Sequence, residues 1–201
     1  MLAEATHSRD NDAPLPVPEV VLDRARVQLA PRTARYVKLG VNNRWFKSSI
    51  ENSRIEFGHP DVSDELALSG DRAVIVALHL AKGRDPGKAT GYAREILDFY
   101  GEGEDCLWIT FGDGSLWWAF AKLEVHMLPP LSDGPTRYRE LLAPWSNLDL
   151  AGHPLSIATL STRLTQVAAY RQTLCSIKDP DALVRRINGF DEPVVIEARR
   201  R

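Results

Sequence analysis

The stretch LWITFGDGSLWWAF, residues 107–120, restricts the fold more than any other part of the chain. Asp113 and Gly114 stand between two apolar, aromatic runs, and that pair is the composition of a two-residue hairpin turn, whose central residues need positive φ. The runs therefore predict an antiparallel hairpin over 107–125. Strand side chains alternate between faces, so Trp108 is opposite in phase to Ile109 and Phe111, and the adjacent Trp117 and Trp118 point to opposite sides. The expectation is that one of that pair is core while the other is exposed, where an indole stacks on a flat ligand. The competing expectation is that both faces are covered and the tryptophans are core alone.

Around the hairpin the punctuation implies a mixed α and β chain. RYVKLG (35–40) alternates and ends in glycine, and IENSRIEFG (50–58) reads as a second strand, with NNRWFKSS between them as a loop or tight helical turn. PDVSDELALSG is short and helical in pattern, whereas the aliphatic run DRAVIVALHLAK fits either a buried strand or a helix. Asp85 caps, Pro86 opens and Gly101 closes a helix over 86–100, along which Ala89, Tyr92, Ala93, Ile96, Leu97 and Tyr100 recur at helical spacing. TRYRELLAPW predicts a further strand, and DPDALVRRING a capped helix. Residues 1–31, with four prolines among polar residues, are expected to be a flexible arm; 32–192 form one domain, and 193–201 a basic tail or linker.

Several function classes are excluded by what the sequence lacks. GRDPGKAT (83–90) sits where a phosphate-binding loop would, but it has three residues between its glycines instead of four, and Ala89 follows Lys88 where a hydroxyl is needed for magnesium. The five histidines show no two-ligand spacing on one helix, so no metal is expected. GDGS (112–115) lacks the second glycine of a nucleophile elbow, and VVIEAR (194–199) lacks the clustered acids and lysine of a nuclease. No catalytic residue and no cofactor is expected. Cys106 and Cys175 fit no disulfide framework and are expected to be reduced. The N-terminus has neither the basic start nor the apolar run of an export signal, so the expected compartment is the cytoplasm, with no membrane partner.

A formal net charge of −2 argues against a strongly basic nucleic-acid binder, yet the positive charge is unevenly placed. Arg32, Arg35, Lys38, Arg44, Lys47 and Arg54 outnumber Glu51 and Glu56 in one segment, and Arg163, Arg171, Lys178, Arg185 and Arg186 outnumber Asp179 and Asp181 in another. Two such patches either meet on one surface or remain solvated faces balanced by acidic loops.

RYVKLGVNNRWFKSSIENSRIEFG, DFYGEGEDCLWITFGDGSLWWAFA, PWSNLDLAGHPL and YRQTLCSIKDPDALVRRING together resemble a bacterial group of PUA-like domains related to EVE and YTH readers, found beside or fused to restriction-type nucleases. The resemblance spans about 35 to 190. It implies an α+β fold, a small curved β-barrel with helices packed around it, and a pocket in which a flipped base, unmodified or modified, sits among aromatics. The chain departs from the pattern in lacking the EVE opening and in its longer helical segment at 60–100.

A flipped base needs aromatic walls, a polar group for its edge, and cations for the displaced backbone. Trp45, Trp117 and Trp118 are the wall candidates, with Trp145 and Tyr170 in reserve. Asn43 and Asp113 are candidates for the edge, and Arg44, Lys47 and Arg171 for phosphate. The expected partner is nucleic acid, DNA before RNA, with a nuclease domain or subunit as effector. The alternative from another class is an enzyme or enzyme fragment with an unrecognised polar cleft.

Overall fold

Strand β1 (Thr33–Val37) organises the chain because it takes partners on both sides: β3 (Cys106–Gly112) in parallel and β7 (Leu174–Ser176) antiparallel. β4 (Ser115–Ala119) folds back on β3, which gives a four-stranded sheet in the order β4-β3-β1-β7. At the turn, Asp113 has φ 50° and Gly114 φ 73°, the left-handed pair that a two-residue hairpin requires. A second, three-stranded sheet is antiparallel throughout, in the order β2 (Arg54–Phe57), β6 (Arg137–Leu141), β5 (Ala121–Met127). The computed structural model describes residues 28–129, 131–170 and 172–190, so most of the expected arm and all of the expected tail lie outside it.

The fold class is α+β. The two ladders do not join into a closed barrel among the described residues. The hairpin is also shorter than its apolar pattern implies, because the chain leaves the first sheet at Phe120 and 121–127 becomes β5 of the second. Buried Ala119 and Ala121 flank this pivot, and the Phe120 carbonyl accepts from the Leu142 N–H at 2.9 Å. The strand expected over 50–58 begins only at Arg54. Residues 50 and 51 complete helix α1 (Phe46–Glu51), and Ser53 turns the chain with φ 49°.

Helices α2 (Asp64–Ser69), α3 (Arg72–Ala81) and α4 (Pro86–Gly101) follow β2, each with a side-chain cap. Ser63 accepts from the Leu66 N–H, Asp71 from Val74 and Asp85 from Lys88, which satisfies donors a helix start leaves open. The ambiguous aliphatic run 71–82 is thus a helix. After β6 come α5 (Thr162–Thr165), then β7, then α6 (Pro180–Ile187), capped by Asp179 at the Ala182 N–H. Leu29 joins this end of the chain, exchanging backbone bonds with the Asn188 side chain at 2.8 and 3.2 Å.

Both faces of the first sheet are covered. One face carries Trp108 and packs with Phe99, Ile96, Ile55 and Phe57, beneath α4 and the second sheet. The other carries Ile109, Phe111 and Leu116, under Leu155, Leu164, Leu183 and Ile187. The inner face of the second sheet holds two fully buried arginines. Arg137 donates to the carbonyls of His59 (3.1 Å) and Val62 (2.6 Å), and Arg139 to those of Phe99 (3.2 Å), Glu102 (2.9 Å) and Lys122 (2.6 Å). Cys106 and Cys175 are free and buried, and burial pushes the Cys106 thiol up to about 12. Among the described residues no helix is long and apolar enough to cross a membrane.

Candidate functional site

The chain between β1 and α1 is where the sequence candidates gather most closely. Asn42 and Asn43 adopt left-handed φ of 54° and 61°, which short polar side chains tolerate best after glycine. The Asn43 carboxamide accepts the Leu39 N–H at 2.9 Å and donates to the Phe111 carbonyl. It therefore ties this turn to the end of β3, and most of the edge-reading capacity expected of it is engaged in the fold.

That turn delivers Trp45 to a seat made of backbone. A Cβ on Gly40 would lie 2.6 Å from the indole's fused ring atoms, and one on Gly58 would lie 3.3 Å from its outer edge, so glycine is what admits the ring. The indole N–H donates to the Asp133 carbonyl at 3.1 Å. The Arg44 guanidinium lies over the ring, 5.5 Å from its centroid, and pairs with the exposed Asp133 carboxylate at 3.3 Å. Trp45 is half-buried, Arg44 and Lys47 are exposed, and Lys47 reaches Glu51 at only 3.8 Å.

Phe46 carries the aromatic surface on to the hairpin. Its ring rests on Gly112, where a Cβ would overlap it, and meets Trp117 edge-on at 5.8 Å. Trp117 bonds the Gly112 carbonyl through its indole N–H at 3.1 Å. Trp45, Phe46 and Trp117 thus flank the same face of the first sheet. Trp145 lies on that side too, but buried, with its N–H on the Arg54 carbonyl at 3.1 Å.

Trp118 and Tyr170 belong to the opposite face, so one cage does not unite them with Trp45 and Trp117. Trp118 donates to the Leu148 carbonyl at 2.8 Å, and Tyr170 receives the Lys38 ammonium on its carbonyl at 2.6 Å while Lys178 lies over its ring. The opposite orientation of Trp117 and Trp118 holds, but a split into one core and one exposed residue does not. Both are half-buried, because layers cover both faces of the sheet while β4 sits at its edge. Asp113 is exposed at the hairpin tip, and Arg171 lies outside the described residues.

Two further polar clusters were not anticipated from the sequence. In a groove of about 410 Å³ beside Arg32 and Thr33, Arg35 lies between Asp98 at 3.3 Å and Glu102 at 2.6 Å. Burial pushes the Asp98 carboxyl up; burial also acts on Glu102, but the Thr33 hydroxyl and Arg35 outweigh it and hold Glu102 low. These carboxylates neutralise an arginine, which gives an acid–base role no support.

The second cluster joins the 58–62 loop to α3 and α4. His59, at φ 79°, bonds the buried Glu95 carboxylate at 3.3 Å, and the other Glu95 oxygen takes the Thr173 N–H at 3.1 Å. Tyr92 stands edge-on to both His59 (5.1 Å) and His79 (5.2 Å). Neither ring nitrogen of the buried His79 has a hydrogen-bond partner. Among the described residues no group of three or more ligating side chains suits a metal ion.

Burial holds the His79 imidazole below its ordinary value, with the neighbouring His59 adding to the effect. The unfolded chain then binds this proton more readily than the folded one, so stability is complete above the unfolded value, about 6.5, and declines as pH falls below it. Urea unfolding between about pH 7.5 and 5.5 is expected to record that decline, and His79→Phe to reduce it. An unchanged slope in the variant would assign the effect to other groups.

Comparison with family models, curated proteins and solved structures returned no match.

Proposed function

We propose that this chain is a PUA-like reader that binds nucleic acid, DNA in the first instance, by stacking an unpaired base on Trp45. The observation that carries this reading is the state of that indole. It is fixed from below by Gly40 and Gly58, while what lies over it is a guanidinium anchored by a solvent-exposed ion pair. Exposed ion pairs contribute only about 0–1 kcal/mol. A base stacked on an aromatic ring contributes about 1–3 kcal/mol, so a base displaces Arg44 and frees it for the adjoining phosphate. Lys47, one turn further on, extends the positive charge along the expected path of the backbone.

This reading uses Trp45, Phe46, Trp117, Arg44 and Lys47, and leaves Trp118, Trp145 and Tyr170 with structural roles. In it the chain supplies specificity to a nuclease domain or subunit that cuts elsewhere. The test is binding of short duplexes carrying unmodified, methylated or hydroxymethylated bases at two salt concentrations. Trp45→Leu, which keeps an apolar filling on the glycine seat, is expected to weaken binding by about 1–3 kcal/mol, the value of one stacked base. Lys47→Ala is expected to lower the salt slope by about one, the loss of a single phosphate contact. A wild-type chain that binds none of the duplexes, or a folded Trp45→Leu chain that binds as well as wild type, overturns the reading.

A further inference from the structure

The outer face of α3 bears no charge for three turns. Ala73, Val74, Ala77, Leu80 and Ala81 recur at three- and four-residue spacing and are all exposed, Val74 at 47% and Leu80 at 43%. Leu68, at the end of α2, extends this stripe at 68% exposure. The opposite side of α3 is the one that packs inward, through Ile75 and His79. An amphipathic helix ordinarily gives its solvent face polar residues; here that face is apolar and its centre is alanine.

The ends of the stripe carry opposite charge. Asp64, Glu65 and Asp71 flank its beginning, and Lys82, Arg84 and Lys88 flank its end. Within the molecule Lys82 pairs with Asp61 and Lys88 with Asp85, and Asp71 caps α3. Glu65 and Arg84 are exposed at the two ends, the latter with its guanidinium over Tyr92. A second α3 laid parallel would bring like ends together. Laid antiparallel, it sets Arg84 of each copy towards the acidic end of the other and opposes the two helix dipoles. The alanines at 73, 77 and 81 let the axes approach to the short end of the usual 8–10 Å range.

We propose that α3 is the contact of a symmetric dimer, in which two copies of this chain pair their α3 helices antiparallel about a two-fold axis near Ala77. The patch is self-complementary, as an isologous interface must be. One helix face and Leu68 make a small interface, so the dimer forms at the weak end of specific association. This inference stands independently of the nucleic-acid reading.

Sedimentation of the full chain between about 1 and 200 µM, the range suited to an interface this small, tests it. The expected result is a mass that rises from one chain towards two. Ala77→Glu and, separately, Leu80→Lys are expected to hold the mass at one chain throughout, with the melting curve at the lowest concentration unchanged. Ala77→Cys is expected to be linked into a covalent pair by a short bismaleimide, and Leu123→Cys, on the second sheet, to remain single. A monomer at every concentration overturns the proposal. So does a dimer that both charged variants leave intact and that Ala77→Cys fails to link.

Discussion

Arg139→Met is expected to destabilise the fold by about 3–5 kcal/mol, the sum of leaving two or more buried carbonyls without donors at about 1–3 kcal/mol each. Arg139 is fully buried, and no carboxylate lies within ion-pair distance of it. Its guanidinium is held by the carbonyls of Phe99 and Glu102 at the end of α4, and by Lys122 on the neighbouring strand. The last carbonyls of a helix lack partners within it and form the negative end of its dipole, which is the right environment for a cation. Burial lowers the Arg139 pKa, and the distant carboxylates of Glu102 and Glu104 oppose that shift without cancelling it. Replacing a buried ion pair by apolar residues is often neutral, because both charges leave together. Here the acceptors are backbone and stay behind. Methionine fills most of the volume but donates nothing, and lysine, with one nitrogen in place of a planar fork, reaches fewer of them. Denaturant unfolding measures the loss; a cost under about 1 kcal/mol would mean that water reaches these carbonyls.

The same arginine shows where the sequence could be read and where it could not. In TRYREL the alternation is plain: residues 137, 139 and 141 share one face, and Leu141 marks it as the inner one. Reading inward from Leu141 would have buried both arginines. Charge argues the other way, since arginine is rarely buried unless partnered, and its partners here are backbone carbonyls more than 35 residues away in sequence at Phe99 and Val62. The helix over 86–101 was legible because its cap, its first proline and its spacing agree, whereas residues 71–82 were ambiguous because a run of Val, Ile and Leu has no period. Asp71 settled that segment as a helix cap. The crossing at Phe120 left no turn signal, as the chain passes from one sheet to the other between two buried alanines without glycine or proline. In the candidate site, Trp45 and Arg44 were identified by residue type alone. Their setting on Gly40, Gly58 and Asp133 depends on three separate loops, and no local pattern carries it.

The tryptophan whose loss is expected to cost most is Trp108, not either member of the adjacent pair. Trp108→Ala is expected to destabilise the protein by about 3–5 kcal/mol, the range for truncating a large buried aromatic. The ring is fully buried, meets Phe99 edge-on at 5.9 Å and has the Arg139 guanidinium over it at 5.5 Å. Its removal therefore opens a cavity and also strips the apolar wall from a buried cation, so its effect should not be additive with that of Arg139→Met. A double-mutant cycle measures the coupling: the pair is expected to lose less than the sum of the two single losses. Trp117 and Trp118 differ in kind. Each is half-buried and each has its N–H on a carbonyl, at Gly112 and Leu148 respectively, so alanine at either site removes one hydrogen bond and part of a packed surface. Each is expected to cost about 1–3 kcal/mol, in proportion to the area it buries. Equal losses at 108, 117 and 118 would mean that the two faces of the sheet are sealed alike, and would leave Trp45 as the sole aromatic with a surface to offer.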